Sequence, residues 1–117
     1  MTIADAKKLL NARLLCGEEN IEKTVHTACG SDMMSDVLAF VKDQSVLITG
    51  LCNPQVVRTA EMMDIICICF VRGKTPDESI IELAKERNLV LMATDLRMFE
   101  ACGILYQSGL GGGAKVE

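Results

Sequence analysis

The chain has 117 residues, half of them hydrophobic, and a net charge of −4 at neutral pH. That length suits one domain, with enough apolar material for a core that needs neither disulfides nor a structural metal. Acids and bases are interspersed without a basic cluster, which argues against nucleic acid as a partner, and the longest apolar run, Ile65 to Val71, is too short to span a membrane.

Thr2 reads as the N-cap of a helix with Asp5 in its first turn and Ile3, Ala6, Leu9 and Leu10 on one face. Leu14-Leu15-Cys16 reads as a short strand closed by the turn Gly17-Glu18-Glu19-Asn20. Ile21 to Cys29 reads as a second extended piece, with β-branched Ile21, Thr24, Val25 and Thr27. Ser31 or Asp32 is expected to cap a helix carrying Met33, Met34, Val37, Leu38 and Val41 at helical spacing.

From there the pattern is regular. Val46 to Thr49 is a strand and Gly50-Leu51-Cys52 a loop. Asn53-Pro54 joins a cap to a first-turn proline and opens a helix with Val56, Val57, Ala60 and Met63 as its stripe. Ile65 to Val71 is apolar on both faces, as suits a central strand covered by helices on both sides. In Thr75-Pro76-Asp77-Glu78, Thr75 is the expected cap and Glu78 its capping-box partner, ahead of Ile80, Ile81 and Ala84. Leu89 to Met92 is a further strand, and Thr94 is expected to cap a last helix through Leu96, Phe99, Cys102 and Tyr106.

Strand alternating with helix over residues 45–108 implies βαβ units and parallel strands. The expected fold is α/β, three-layer α/β/α with a mainly parallel sheet. One domain over residues 1–109 is expected, with Gly109 as helix C-cap and residues 110–117 as a flexible tail. The amino-terminal residues lack the charged start and apolar stretch of a secretory signal, so the expected setting is cytoplasmic. The six cysteines form no C-x-x-C pair, and thiols stay reduced in that compartment, so most are expected as small core residues.

Gly73-Lys74-Thr75 sits between a strand and a helix like the end of a P-loop. The first glycine of that motif would fall on Ile68, inside the strand, which leaves no loop to wrap a phosphate. Cys67-x-Cys69 places two sulfurs on one face of a strand, either as core filler or as part of a redox or metal site. His26 has Cys29 three residues on, a spacing that points the two to opposite faces of an extended segment. Ser31-Asp32 and Ser35-Asp36 surround one helix start, where capping competes with a cation or partner site. No nucleophile–base pair can be named, so no catalytic residue, metal or cofactor is expected.

A better candidate comes from three loops that follow successive parallel strands. Thr49, Gly50 and Asn53 belong to the first, Arg72, Gly73, Lys74 and Thr75 to the second, and Thr94 to the third. Each leads into a helix N-terminus, where free N–H groups favour an anion, and open α/β sheets bind ligands at this edge. A nucleotide or other phosphorylated metabolite would be the natural guest. The other reading is that Asn53, Thr75 and Thr94 only cap their own helices.

The order of these features resembles a known family. Gly30-Ser31-Asp32-Met33-Met34-Ser35-Asp36-Val37-Leu38-Ala39 precedes Leu47-Ile48-Thr49-Gly50. Asn53-Pro54, Val71-Arg72-Gly73, Pro76, Leu83-Ala84, Thr94, Phe99-Glu100 and Gly103-Ile104-Leu105-Tyr106 follow. The chain is similar to a stand-alone DRTGG domain, like the N-terminal domain of HPr kinase/phosphorylase without its kinase domain. The Asp-Arg-Thr-Gly-Gly string itself is absent, and Leu51-Cys52 stands where such domains often continue with Asp-Arg. The resemblance implies a three-layer α/β fold, a regulatory or oligomerising role, and chemistry carried by other domains; a homodimer is the expected assembly. A protein–protein module is the alternative, using Met33, Met34, Met62 or Met63 as an adaptable surface.

Overall fold

Each buried strand alternates its side chains between two cores, and that alternation sets the layers. The computed structural model describes residues 1–40 and 44–112. Its elements are α1 (Ile3–Leu9), β1 (Arg13–Cys16), a 3-10 turn (Glu18–Asn20), β2 (Thr27–Gly30), α2 (Met34–Phe40), β3 (Ser45–Thr49), α3 (Pro54–Met62), β4 (Ile65–Phe70), α4 (Glu78–Glu86), β5 (Val90–Ala93) and α5 (Met98–Gln107). The sheet runs β1-β5-β4-β3-β2, with β2 to β5 parallel and β1 antiparallel beside β5.

Val46, Ile48, Cys67, Cys69, Val90 and Met92 pack against Ile3, Ala6 and Leu10 of the α1 region and Ala101 and Leu105 of α5. Leu47, Ile68, Phe70, Leu91 and Ala93 face the other way, onto Val37 of α2, Val56, Val57 and Ala60 of α3, and Ile80 and Ala84 of α4. The three-layer, mainly parallel α/β/α architecture is therefore as the sequence implied. The parallel strands are neighbours in chain order, so right-handed crossovers put α2, α3 and α4 on the same face. The order of the parallel strands never reverses, and the switch-point crevice of doubly wound sheets does not form among them. No helix among the described residues is long and apolar enough to cross a membrane.

Several local expectations are corrected. Thr2 does cap α1, in a reciprocal box with Asp5, but Leu9 faces outward. Of the extended piece Ile21 to Cys29 only its end joins the sheet. The residues before it dock on the start of α1 instead, with Ile3 N–H donating to Lys23 O at 3.0 Å and Val25 N–H to Met1 O at 2.8 Å. Helix α2 starts at Met34, later than a Ser31 or Asp32 cap requires, and Val41 lies outside the described residues. Asp77 caps α4 in place of Thr75, and α5 begins after Arg97 in place of a Thr94 cap. The stripe of α5 is also shifted: Ala101 and Leu105 are buried, while Phe99 and Tyr106 are 85% and 74% exposed. Leu110 is buried and Gly111 O accepts from Ala28 N–H at 2.9 Å, so these residues of the expected tail belong to the domain.

Candidate functional site at the carboxyl edge of the sheet

The parallel strands all end at one edge, and β1 begins there because Arg13 pairs with Ala93 at the end of β5. At the end of β3 the donors are already taken. The Asp32 carboxylate, reaching over from the β2–α2 loop, accepts from Gly50 N–H at 2.6 Å and from the Thr49 hydroxyl at 3.0 Å. Thr49 Oγ1 in turn accepts from Leu51 N–H at 3.1 Å.

Arg72 completes this cluster. Its guanidinium lies over Gly50 in the space a Cβ would fill, with Nη2 3.7 Å from Asp32 Oδ2. Glycine leaves that seat open. The Gly50 N–H above all, then the Thr49 hydroxyl and Arg72, hold the Asp32 carboxyl below its ordinary pKa.

The loop after β4 turns on two left-handed residues, Arg72 at φ 61° and Gly73 at φ 68°. Its N–H groups point inward: Arg72 donates to Leu96 O at 2.8 Å, Gly73 to Thr94 O at 2.9 Å and Lys74 to Val71 O at 3.2 Å. These amides are thus not the free anion donors that the sequence suggested. What the loop offers to solvent is charge. Lys74 is exposed, and Arg13 arrives from β1, its Nη2 donating to Thr75 Oγ1 at 2.8 Å and its Nη1 4.0 Å from Asp95 Oδ1.

Thr49, Gly50 and Arg72 are therefore gathered around Asp32, while Gly73, Lys74 and Thr75 form the neighbouring loop with Arg13. Thr94 is turned inside, where its buried hydroxyl donates to Leu10 O at 2.7 Å. Asn53 holds the N-cap position of α3 without a capping bond, and its Oδ1 is buried with no partner among the described residues. Sequence reasoning missed Arg13 and the true position of Asp32. Arg13 carries no signal until the direction of β1 is known, and Asp32 looked like a helix cap.

The DRTGG domain family model matches residues 5–108. The chain belongs to the DRTGG domain family. Among curated proteins no relative matches it. Among solved structures, the DRTGG domain is similar to the CBS and DRTGG domains of the regulatory region of Clostridium perfringens pyrophosphatase, complexed with its activator diadenosine tetraphosphate. The two are 21% identical with a TM-score of 0.71, over 92% of this chain and 46% of that one. This chain thus spans less than half of that neighbour.

Two other features of this DRTGG domain lie away from the edge. A groove of about 480 Å³ runs between β2 and α5, lined by Ala28, Gly30, Phe99, Cys102, Tyr106 and Leu110 among others, with no charged side chain among the described residues that line it. Cys67 and Cys69 are wholly buried, and burial pushes the Cys69 thiol up to about 12 and the Cys67 thiol well above its ordinary range. Protonated, enclosed thiols make poor nucleophiles and ligands, and no cluster suited to a metal occurs among the described residues. His26 lies just ahead of β2, at the opposite edge from the cationic loops.

Proposed function

We propose that this DRTGG domain is a non-catalytic regulatory module that senses a nucleotide or other phosphorylated metabolite at the carboxyl edge of its sheet. The observation that carries this reading is the convergence of Arg13, Arg72 and Lys74 at that edge, from two separate stretches of chain. Asp95 and Asp32 lie against Arg13 and Arg72, so a polyanion would compete with those carboxylates for the two guanidiniums and meet Lys74 beside them. The pyrophosphatase neighbour, whose regulatory region is complexed with a dinucleotide tetraphosphate activator, supports the kind of ligand and leaves its position open. Arg72 and Lys74 would hold phosphate oxygens, with Arg13 and Thr75 beside them and the Asn53 amide within the same row of loops. A cytoplasmic setting accords with this guest.

The test is a thermal-shift and calorimetric titration with ATP and diadenosine tetraphosphate. Ligand at a hundred times its dissociation constant stabilises the fold by about 2.7 kcal/mol. Changing Arg72 and Lys74 together to alanine is expected to abolish the shift. Equal affinity in that variant would sink the proposal.

A second reading is favoured by a different observation. Phe99 and Tyr106 stand exposed on one face of α5 beside the groove, whose described lining carries no charge, which fits a homodimer or a docking role. Methionine supports it less well. Met33 and Met62 are 61% and 63% exposed, but one precedes α2 and the other ends α3, at opposite edges of the sheet, and Met34 is buried. Sedimentation of the wild type against a Phe99→Ser/Tyr106→Ser variant separates the two: a concentration-dependent dimer lost in the variant supports it, and a monomer in both removes it.

A further inference from the structure

The seat at the end of β3 is filled by a group of the protein itself. Its donors are Gly50 N–H, the Thr49 hydroxyl and the Arg72 guanidinium, which is the set a phosphate oxygen would use, and the Asp32 carboxylate takes all three. Asp32 is not locked in. Its side chain is 44% exposed and that of Arg72 42% exposed, so solvent reaches the pair from outside. Asp32 also lies on the short connection between β2 and α2, two residues before Met34, and Ser31 braces that connection by accepting from Met33 N–H at 2.9 Å.

We propose that Asp32 is a built-in competitor for the anion seat, and that a phosphate group bound by Arg72 and Gly50 displaces its carboxylate and releases the start of α2. The inference rests on the anion-sensing reading of this edge and adds to it the means by which occupancy is reported. A ligand shifts a conformational equilibrium only through contacts that differ between the states. Here the difference is defined: Gly50 N–H and Arg72 bind either the carboxylate or the phosphate. Release of Asp32 changes the presentation of Met33, which stands exposed where α2 meets solvent. The device thereby links the ligand edge to the surface of α2.

The experiment titrates inorganic pyrophosphate into the full chain, with affinity read by calorimetry and the backbone amides of Gly50 and of residues 33–38 read by NMR. Removal of the competing charge in Asp32→Ala, or in the near-isosteric Asp32→Asn should the first fold poorly, is expected to tighten binding by at least about tenfold. In the wild type, binding is expected to shift the amides of residues 33–38 together with that of Gly50. In Asp32→Asn, pyrophosphate is expected to shift Gly50 with a smaller accompanying change in α2. Equal affinity in wild type and both Asp32 variants, with binding lost in Arg72→Ala, overturns the competitor and leaves the anion site standing. Absence of binding in every variant overturns both.

Discussion

At the end of β3 one carboxylate joins three segments that are distant in sequence: Asp32 in the β2–α2 loop, Thr49-Gly50, and Arg72. Truncating it leaves Gly50 N–H and a guanidinium without their acceptor. Because the site is half-exposed, water replaces part of what is lost, and Asp32→Ala is expected to cost about 1 kcal/mol in urea unfolding at pH 7. The pH dependence has a fixed sign. The folded-state pKa of Asp32 is depressed, mainly by the Gly50 N–H, so its contribution is complete above the unfolded value of about 3.9. That contribution fades as the pH falls through the lower folded value. The gap between wild type and Asp32→Ala should therefore narrow in acid; a gap that widens there would contradict this origin. Gly50→Ala tests the other side of the cluster. The nearest atoms to its new Cβ all belong to the movable end of Arg72, so stability should change by no more than about 0.5 kcal/mol while phosphate binding weakens. Gly50 and Arg72 were legible as residues of strand-end loops. Their seating on one another was not, because a turn signal in sequence does not say which distant side chain fills the space that a glycine leaves.

Among the elements, the alternation of strand and helix from β3 to α5 was readable because each buried strand is a continuous apolar run between turn signals. The phases were harder. Helix α5 carries Met98, Phe99, Ala101, Cys102, Ile104, Leu105 and Tyr106, so apolar residues occupy more than one face and the large ones mislead. The inner face takes Ala101 and Leu105, and α5 lies so near β2 that Cys102 Sγ fills the space over Gly30. The start of α4 posed a similar choice between Thr75 and Asp77. Asp77 Oδ1 accepts from Ile80 N–H at 3.2 Å, whereas Thr75 is engaged by Arg13. Asp77→Ala should accordingly lower the melting temperature and Thr75→Ala should scarcely move it; the reverse order would mean the cap is misassigned. Cysteine placement gives a further check at this scale. Maleimide should label the partly exposed Cys29, Cys52 and Cys102 in the folded protein, while Cys16, Cys67 and Cys69 react only after unfolding. Early labelling of Cys67 or Cys69, located by mass spectrometry, would reopen the redox reading.

For the molecule as a whole, the question is where the domain ends. The family match stops at residue 108, and the glycine-rich sequence after Tyr106 reads as a helix stop followed by a loose tail. Composition suggests that ending because glycine announces flexibility and a lone leucine among glycines has no periodic partner. The fold uses that leucine nonetheless. Gly109 takes a left-handed turn at φ 103°, Leu110 N–H donates to Leu105 O at 3.0 Å, and the Leu110 side chain enters the core between the sheet and the α1–α5 layer. Gly111 O then accepts from Ala28 N–H, so the chain lies against the outer side of the edge strand β2. That contact shields part of an edge that would otherwise present unpaired backbone. Leu110→Ala is expected to destabilise the fold by about 2 kcal/mol, near the lower end for a leucine truncation because the site borders solvent. A chain ending at Gly109 should lose at least as much, since it also gives up the Ala28 bond. Urea unfolding of the three chains side by side decides the matter. If the shortened chain unfolds at the wild-type midpoint, residues 110–112 are a tail after all, and the domain ends where the helix does.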